Sequence, residues 1–174
     1  MNINGFFLII LAGLIVIYVA FKPLDIKQQE FGEIPLFELS SFTIHELNPD
    51  GLVTVMQGSE AVRFKNRYKV EDINYTDNSE KYRANMKANL GIYKDKSEVL
   101  NLKGNIVYVR EDGLTFKTRK LTYNQKTSIA KTNTKYIMDR NGNEVRGSSL
   151  VYNNALERMK SKNITVKYQL KEEK

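Results

Sequence analysis

From Phe37 onward, apolar and polar residues alternate in short runs that are separated by turn-forming clusters. Leu100, Leu102, Ile106 and Tyr108 share one face of a predicted strand, and polar residues such as Asn101 occupy the other. Leu114 and Phe116 also share a face, as do Ile164, Val166 and Tyr168. The turn clusters include residues 48–51, 77–79, 94–96, 111–113, 141–143 and 153–154. This pattern predicts an all-β domain of antiparallel strands, in which two sheets cover each other as a sandwich or an open roll.

The first 36 residues have a different pattern. Residues 6–21 carry no charge, and twelve of these sixteen are Leu, Ile, Val or Phe, each of which favours membrane insertion by about 0.3–0.6 kcal/mol. A helix counted from Ile3 would be about 28 Å long, close to the hydrocarbon thickness of a bilayer. We therefore predict a short end at 1–4, a transmembrane helix at 5–21, a polar tether at 22–36, a β domain at 37–170 and a disordered tail at 171–174.

The main alternative for the apolar segment is a cleaved signal peptide. No Lys or Arg precedes the segment, and Tyr18 stands where a cleavage site needs a small residue, so an uncleaved anchor is favoured. The chain has no cysteine, which excludes a lipoprotein. Lys22 and Lys27 follow the span, and this weak positive-inside bias favours a cytoplasmic C-terminal domain.

Four aromatic residues form a weak internal repeat. Phe64, Tyr93, Tyr123 and Tyr152 are separated by 29, 30 and 29 residues. A repeat unit of about three strands would indicate a winding architecture of equivalent strands. Chance spacing in a tyrosine-rich chain is the other explanation.

The sequence offers little catalytic chemistry. There is no cysteine and only one histidine, His45, which lies beside Glu46 just before a turn. A lone histidine has no second one with which to bind a metal, and no serine is recognisably placed to form a triad with it. No phosphate-binding glycine motif is present. We therefore expect no enzyme activity, no cofactor and no metal, although a pair of acidic residues acting as in glycosidases stays open.

The net charge of +7 lies entirely outside the apolar segment. Basic residues are spread over strands and turns and include three stretches: Arg63, Lys65, Arg67 and Lys69; Lys117, Arg119 and Lys120; and Arg158, Lys160 and Lys162. A solvated polar face explains most charged strand positions, whereas the functional alternative is an anionic lipid or membrane surface. Nucleic acid is disfavoured because the basic stretches lack interleaved stacking aromatics and no reading helix is evident.

Three stretches of the domain resemble a known family. They are residues 92–106, the pattern Gly113-Leu114-x-Phe116-x-Thr118-x-x-Leu121-x-Tyr123, and the pattern Gly142-x-x-Val145-x-Gly147-x-x-Leu150-x-Tyr152. Together with the apolar segment, the tether and the turn at residues 48–51, they resemble the LptC family, the membrane-anchored component of lipopolysaccharide export. The apolar segment favours this family over the soluble bridge proteins of the LptA type that share its domain.

The resemblance implies a β-jellyroll, open between its two sheets, with a groove that receives the acyl chains of lipopolysaccharide. It implies partners at both edges, namely the inner-membrane ABC transporter subunits and a periplasmic bridge protein of the LptA type. It also implies an inner-membrane location with a cytoplasmic N-terminus and a periplasmic domain, against the weak charge bias.

Two sets of residues are candidates for these roles. The groove candidates are Leu100, Leu102, Ile106, Tyr108, Leu114, Phe116, Val145, Ile164 and Val166. The docking-edge candidates, on a predicted last strand from about 160 to 168, are Lys160, Lys162, Ile164, Val166 and Tyr168. Ordinary core packing is the competing explanation for each groove residue. A scaffold that joins proteins without carrying lipid is the competing function, and open edges also permit pairing with copies of the same chain.

Overall fold

The computed structural model describes residues 34–49, 51–78 and 82–169, and within them all regular structure is β-strand. The twelve strands are β1 (Phe37–Asn48), β2 (Gly51–Phe64), β3 (Arg67–Asp77), β4 (Ala84–Lys94), β5 (Val99–Arg110), β6 (Leu114–Asn124), β7 (Ile129–Thr132), β8 (Tyr136–Arg140), β9 (Asn143–Gly147), β10 (Ser149–Asn153), β11 (Arg158–Lys162) and β12 (Thr165–Lys167). The predicted all-β antiparallel class is confirmed. The segments predicted at 1–4, 5–21 and 171–174, and most of the tether, lie outside the described residues.

No helix within the described ranges is long and apolar enough to span a bilayer.

The strands form one open sheet in which neighbours in space are mostly neighbours in sequence. β1 to β6 pair in order as an antiparallel meander. β6 is the branching strand: its first half pairs with β8 and its last residues pair with β7. One branch continues from β7 through β10 to β11, and the other from β8 through β9 to β12.

At mid-length of the six long strands the register is interrupted along a line that contains left-handed residues on β1, β3 and β5 and one bulge, on β5. Ser41 on β1 and Asp72 on β3 have φ of 49° and 50°, and Gly104 and Asn105 on β5 have φ of 74° and 44°. β5 carries an extra residue here relative to both neighbours, since the register shifts between Lys103 and Ile106 and on the facing part of β4. Such bulges bend a strand and redirect its side chains. We call this line the crease.

Side-chain contacts connect the crease from strand to strand. Ser59 on β2 donates a hydrogen bond of 2.8 Å to the carboxylate of Asp72. Asn89 on β4 lies against Gly104, where a Cβ atom would approach the Asn89 amide nitrogen to 2.9 Å. Gly104 therefore serves both the left-handed backbone and the close packing.

The crease divides the sheet into two leaves whose apolar faces meet. The first leaf contains residues 37–40, 60–64, 67–71, 90–94, 99–103 and 120–124 with β7, β10 and β11, and the second contains residues 42–48, 51–58, 73–77, 84–88, 106–110 and 114–118 with β8, β9 and β12. The sequence predicted two separate sheets, whereas the structure has one. The six long strands run through both leaves, and their backbone pairing is interrupted locally at the crease, where Ser41, Asp72 and Gly104 are left out of the register.

Two buried clusters hold the leaves together. Leu102 from the first leaf packs with Ile73, Ala88 and Ile106 from the second. Tyr136 on β8 packs with Phe116 and with Leu150 on β10, so it also bridges the leaves. The Ser161 hydroxyl on β11 donates to the Ser149 carbonyl at 2.7 Å, and the Tyr136 hydroxyl donates to Ser161 at 2.7 Å. This inter-leaf hydrogen bond satisfies a phenol that is otherwise fully buried.

A buried hydroxyl cluster occupies the branch point where the sheet divides. Thr118 on β6 lies 3.3 Å from the hydroxyl of Thr132 and 2.9 Å from that of Thr134, and it also donates to the Lys135 carbonyl at 3.1 Å. Where two branches separate, the backbone ladder cannot continue to both sides. The threonine hydroxyls provide hydrogen-bond partners at that position.

The aromatic repeat seen in the sequence corresponds to a real structural row. Register pairs connect Tyr93 to Leu100, Leu100 to Tyr123, Tyr123 to Ala130 and Ala130 to Tyr152, all on the inner face of the first leaf. Each tyrosine is followed by a four-residue turn of the same form, with Glu98, Ser128 and Glu157 at positive φ. The row continues from Tyr93 to its partner Tyr68 on β3, and the residue of β2 that pairs with Tyr68 is Arg63. Phe64 is therefore outside the row.

Asp112 holds the turn between β5 and β6 at the free end of the second leaf. Its carboxylate contacts Arg110 at 2.7 Å and Arg140 on β8 at 2.9 Å, and it accepts the Leu114 backbone N–H at 3.4 Å. The hydrogen bond from Arg110 is the main reason why the pKa of Asp112 falls from 3.8 to about 2. A single carboxylate thus connects one hairpin to the strand beside it.

We predict that Asp112 makes the domain more sensitive to acid. A carboxyl group with a depressed folded-state pKa stabilises the fold above its ordinary pKa, and that contribution is lost as pH falls from 3.8 to about 2. Asp112→Asn should lower the melting temperature at pH 7 and flatten its decline across this pH range, measured by thermal unfolding of the purified protein. Glu157→Gln, at an exposed turn position, is the control and should change neither. An unchanged pH slope in Asp112→Asn would contradict the prediction.

Candidate functional site

A continuous row of apolar and aromatic side chains runs across the inner face of the second leaf. One residue from each of nine strands contributes, and each is the register partner of the next: Ile44, Met56, Tyr75, Met86, Tyr108, Phe116, Met138, Val145 and Val166. Eight inter-strand spacings correspond to about 38 Å along the sheet. We call this row the inner strip.

The inner strip is buried in the middle and open at both ends. Phe116, near its centre, is 9% exposed, whereas Ile44 on β1 is 46% exposed and Val166 on β12 is 56% exposed. The first leaf shows the same gradient, since Phe37 at its β1 end and Met159 on β11 are each about half exposed. The space between the leaves is therefore closed by packing at β5, β6 and β8 and opens towards both edges of the sheet.

Three methionines lie on the inner strip, at Met56, Met86 and Met138. Methionine side chains are unbranched and polarizable, so they adapt to apolar surfaces of varying shape. None of the nine positions carries a formal charge. The strip can therefore contact an extended hydrocarbon along its whole length without burying a charge.

Polar groups surround the open β1 end of the strip. Burial is the main cause of the raised pKa of Tyr75, and the carboxylates of Asp77 and Glu46 add to it. Glu46 also accepts a hydrogen bond of 3.0 Å from Thr54. The acidic groups Glu46 and Asp77 therefore lie at the β1 end of the second leaf, where they border the exposed apolar residues of the strip.

A cation lies at the corresponding end of the first leaf. The guanidinium of Arg63 is 3.8 Å from the centroid of the Tyr68 ring and 2.6 Å from the carboxylate of Asp95. Arg63 is register-paired with Phe37 and Tyr68, both of which are substantially exposed. The β1 opening therefore combines exposed apolar surface with one ion pair on the first leaf and acidic groups on the second.

The structure brings most of the predicted groove residues together inside the fold. Tyr108, Phe116, Val145 and Val166 are on the inner strip. The others divide between the leaves: Leu100 and Leu102 face inward from the first leaf, Ile106 and Leu114 face inward from the second, and Ile164 lies in the connection between β11 and β12. Leu102 and Ile106 are almost completely buried core residues. Lipid contact by any of the nine stays a prediction.

Sequence reasoning missed five members of the inner strip: Ile44, Met56, Tyr75, Met86 and Met138. The alternation of apolar and polar residues along β3 and β4 is visible in the sequence. The alignment of these positions across neighbouring strands, however, depends on the bulge at the crease. One signal was present. The doubled gap in Thr118-x-x-Leu121, where both intervening residues are exposed, is the point where β6 passes from the second leaf to the first. The same doubled gap occurs between Gly147 and Leu150.

The predicted docking edge is divided between two strands. The sequence suggested one last strand over about 160–168, but Asn163 has a φ of 52° and ends β11. Lys160 and Lys162 lie on β11 at the edge of the first leaf, and Val166 lies on β12 at the edge of the second. Ile164 connects them, and Tyr168 follows β12. β1, β11 and β12 each pair with a single neighbour, so three strand edges are unpaired among the described residues.

Histidine and acidic residues form no metal-binding group in the described part of the chain. His45 is register-paired with Val55 on the outer face of β1, opposite to the inner strip. Lys69 is ion-paired with Glu71 at 2.6 Å. Lys117 lies on the outer face of the second leaf, whereas Lys120 and β11 belong to the first leaf. The basic stretches of the sequence thus do not form one site.

These features define a class of protein: an open antiparallel β-sheet folded into two leaves, with an apolar interior open at both ends and free strand edges. The chain belongs to the LptC-related lipopolysaccharide-assembly family, whose family model matches residues 7–169. This membership confirms the resemblance noted in the sequence and covers nearly the whole chain. It implies involvement in lipopolysaccharide transport and an envelope location, and the family is one of transport proteins rather than enzymes. No curated protein matches the chain.

We predict that the centre and the ends of the interior respond differently to the same truncation. Ile106 is 1% exposed, so Ile106→Ala should cost about 2–5 kcal/mol of unfolding free energy. Ile44→Ala, at the open end, should cost less than about 1 kcal/mol. Chemical denaturation of the purified protein measures both. Equal costs would show that Ile44 is packed as core, and the open end of the strip would then not exist.

Proposed function

We propose that this protein is a membrane-anchored carrier in lipopolysaccharide transport, and that acyl chains occupy the space between its leaves along the inner strip. In this proposal the domain is periplasmic, the N-terminus is cytoplasmic and the chain crosses the inner membrane once. Lipopolysaccharide arrives from the inner-membrane ABC transporter and leaves to a periplasmic bridge protein of the LptA type. The observation that carries the proposal is the uncharged row of nine side chains that is exposed at both ends.

The geometry supports passage better than storage. Ile44 and Val166 leave apolar surface exposed at both ends of the strip, and contiguous exposed apolar surface is typical of sites that bind an apolar ligand or a partner. A strip with two open ends allows one amphiphile to enter while another leaves. The methionines on the strip suit chains of varying length, because they repack at low cost.

Passage also requires the buried middle to admit an acyl chain. Among the described residues, the contacts between the leaves there are apolar except for the hydrogen bond between Tyr136 and Ser161 and the hydroxyl contact between Thr118 and Thr132. Acyl chains replace apolar contacts with equivalent ones, so an increase in leaf separation exposes little apolar surface to water when lipid is present. The crease supplies a continuous line along which the two leaves can change their separation.

The test is lipopolysaccharide binding by the full-length protein in detergent, with a phospholipid of similar charge titrated in parallel. We expect saturable binding of lipopolysaccharide in preference to the phospholipid. Ile44→Asp should weaken it about tenfold, which corresponds to about 1.4 kcal/mol, because the carboxylate would have to be desolvated beside an acyl chain.

His45→Asp is the matched control, since it places the same charge on the next residue but on the outer face of β1. It should bind lipopolysaccharide as the parent protein does. Absence of binding by a folded parent protein would reject the carrier function. Equal loss in both variants would show that added charge, rather than the inner strip, is responsible.

The unpaired strand edges favour a second function, which is a scaffold that joins protein partners by continuing the sheet. β11 ends the first leaf and β12 the second, and β1 ends both. Exposed edges of this kind bind an added strand through backbone hydrogen bonds. The two functions are compatible, but the scaffold does not require lipid.

Photocrosslinking distinguishes an edge partner from random contact. A photoreactive residue at Lys160, on the edge strand β11, should crosslink to a bridge protein of the LptA type or to a second copy of this chain. The same residue at Lys103, on the outer face of the central strand β5, should not. Equal crosslinking at both positions would argue against addition of a strand at this edge.

A further inference from the structure

The outer face of the first leaf is basic without any acidic residue over five strands. β5, β6, β7, β10 and β11 place fourteen residues on this face: 99, 101, 103, 120, 122, 124, 129, 131, 149, 151, 153, 158, 160 and 162. Six of them are basic and none is acidic, namely Lys103, Lys120, Lys131, Arg158, Lys160 and Lys162. We call these six residues the basic face.

All six side chains are exposed, and none takes part in an ion pair among the described residues. Lys103 and Lys120 are direct register partners, so two like charges face each other across neighbouring strands. Such pairs destabilise a sheet. A fold that only needed solubility could alternate the charge signs here, as happens at Lys69 and Glu71 on β3.

The outer face of the second leaf provides an internal comparison. There, β5, β6, β8, β9 and β12 present ten residues: 107, 109, 115, 117, 137, 139, 144, 146, 165 and 167. Three are basic and two are acidic, and Arg146 is hydrogen-bonded to Glu144 at 2.7 Å. The excess of positive charge is therefore specific to one face and does not simply follow from the net charge of the chain.

The shape of the basic face indicates its partner. Four inter-strand spacings give a width of about 19 Å, and the charges lie along three rows of an extended sheet. At the centre, Val151 is 43% exposed between Lys131 and Lys160, its two register partners. A broad face of separated cations matches an extended anionic surface better than a single phosphate.

We propose that the basic face of this protein lies against the anionic phospholipid headgroups of the membrane in which the chain is anchored. The predicted tether of residues 22–36 spans at most about 50 Å, so the domain stays within reach of that surface. Juxtamembrane basic residues are attracted to anionic leaflets over about one screening length. This contact would orient the domain, and it does not depend on carriage of lipid between the leaves.

The experiment uses the full-length chain in nanodiscs and exploits its lack of cysteine. Val151→Cys carries a fluorophore, and the disc lipids carry a headgroup quencher. We expect at least twofold stronger quenching in phosphatidylglycerol discs than in phosphatidylcholine discs, and loss of the difference at about 1 M salt, where the screening length is about 3 Å. The control label is Val109→Cys, which has almost the same exposure (42%) on the outer face of the second leaf.

Matched charge reversals complete the test. Lys131→Glu with Lys160→Glu, on either side of Val151, should abolish the quenching difference. The control pair, Lys87→Glu with Lys117→Glu, lies on either side of Val107 on the second leaf. It makes the same change in net charge and should leave the quenching difference between the two lipids intact.

Equal quenching in both lipids, or an equal effect of both double variants, would overturn the proposal. The proposal would also be overturned if the Lys131 and Lys160 reversals weakened lipopolysaccharide binding while no phospholipid quenching was seen in any variant. The basic face would then bind the transported lipid instead of the membrane. Ile44→Asp should leave the quenching unchanged, which separates failure of this inference from failure of the carrier function.

Discussion

The fold depends on one constraint: a single hydrogen-bonded sheet must cover its own apolar face. Six strands are long enough to contribute residues to both leaves, and the pairing of each with its neighbours is interrupted at the crease. Left-handed residues at Ser41, Asp72 and Asn105 accompany this local interruption. Burial of Ile73, Leu102 and Ile106 between the leaves offsets the strain of those conformations. The leaves are thus joined by backbone at the crease and by side chains in the middle.

The same constraint explains why the interior is open at its ends. Each leaf can bury its inner face only where the other leaf lies opposite, and the branch at β6 places the strongest inter-leaf packing at β8 and β10. Beyond those strands, β1 on one side and β11 and β12 on the other have a neighbour along one edge only among the described residues. Exposed apolar side chains and unpaired edges therefore occur together, at the places where a lipid and a protein partner would both have to approach.

The two faces of the first leaf have different chemistry for the same geometric reason. Alternation along β10 places Leu150 in the core and Val151 outside, and alternation along β11 places Ser161 inside and Lys160 outside. Apolar residues inside serve the fold, so the outer positions are free to carry a function of their own. Six of the fourteen outer positions are basic and none is acidic. This excess of positive charge is a property of the surface, and folding does not require it.

The sequence by itself determined the strand class, the turns and the direction of most side chains, because period-two alternation and turn chemistry are local properties. It also contained the family pattern over residues 7–169 and the tyrosine row. The tertiary structure decided the rest: one sheet instead of two, the division of residues 160–168 between β11 and β12, and the alignment of Ile44 through Val166 into one strip. These features depend on register and on bulges, where one extra residue in β5 changes which side chains meet across strands. That information is non-local, so alternation along any single strand could not supply it.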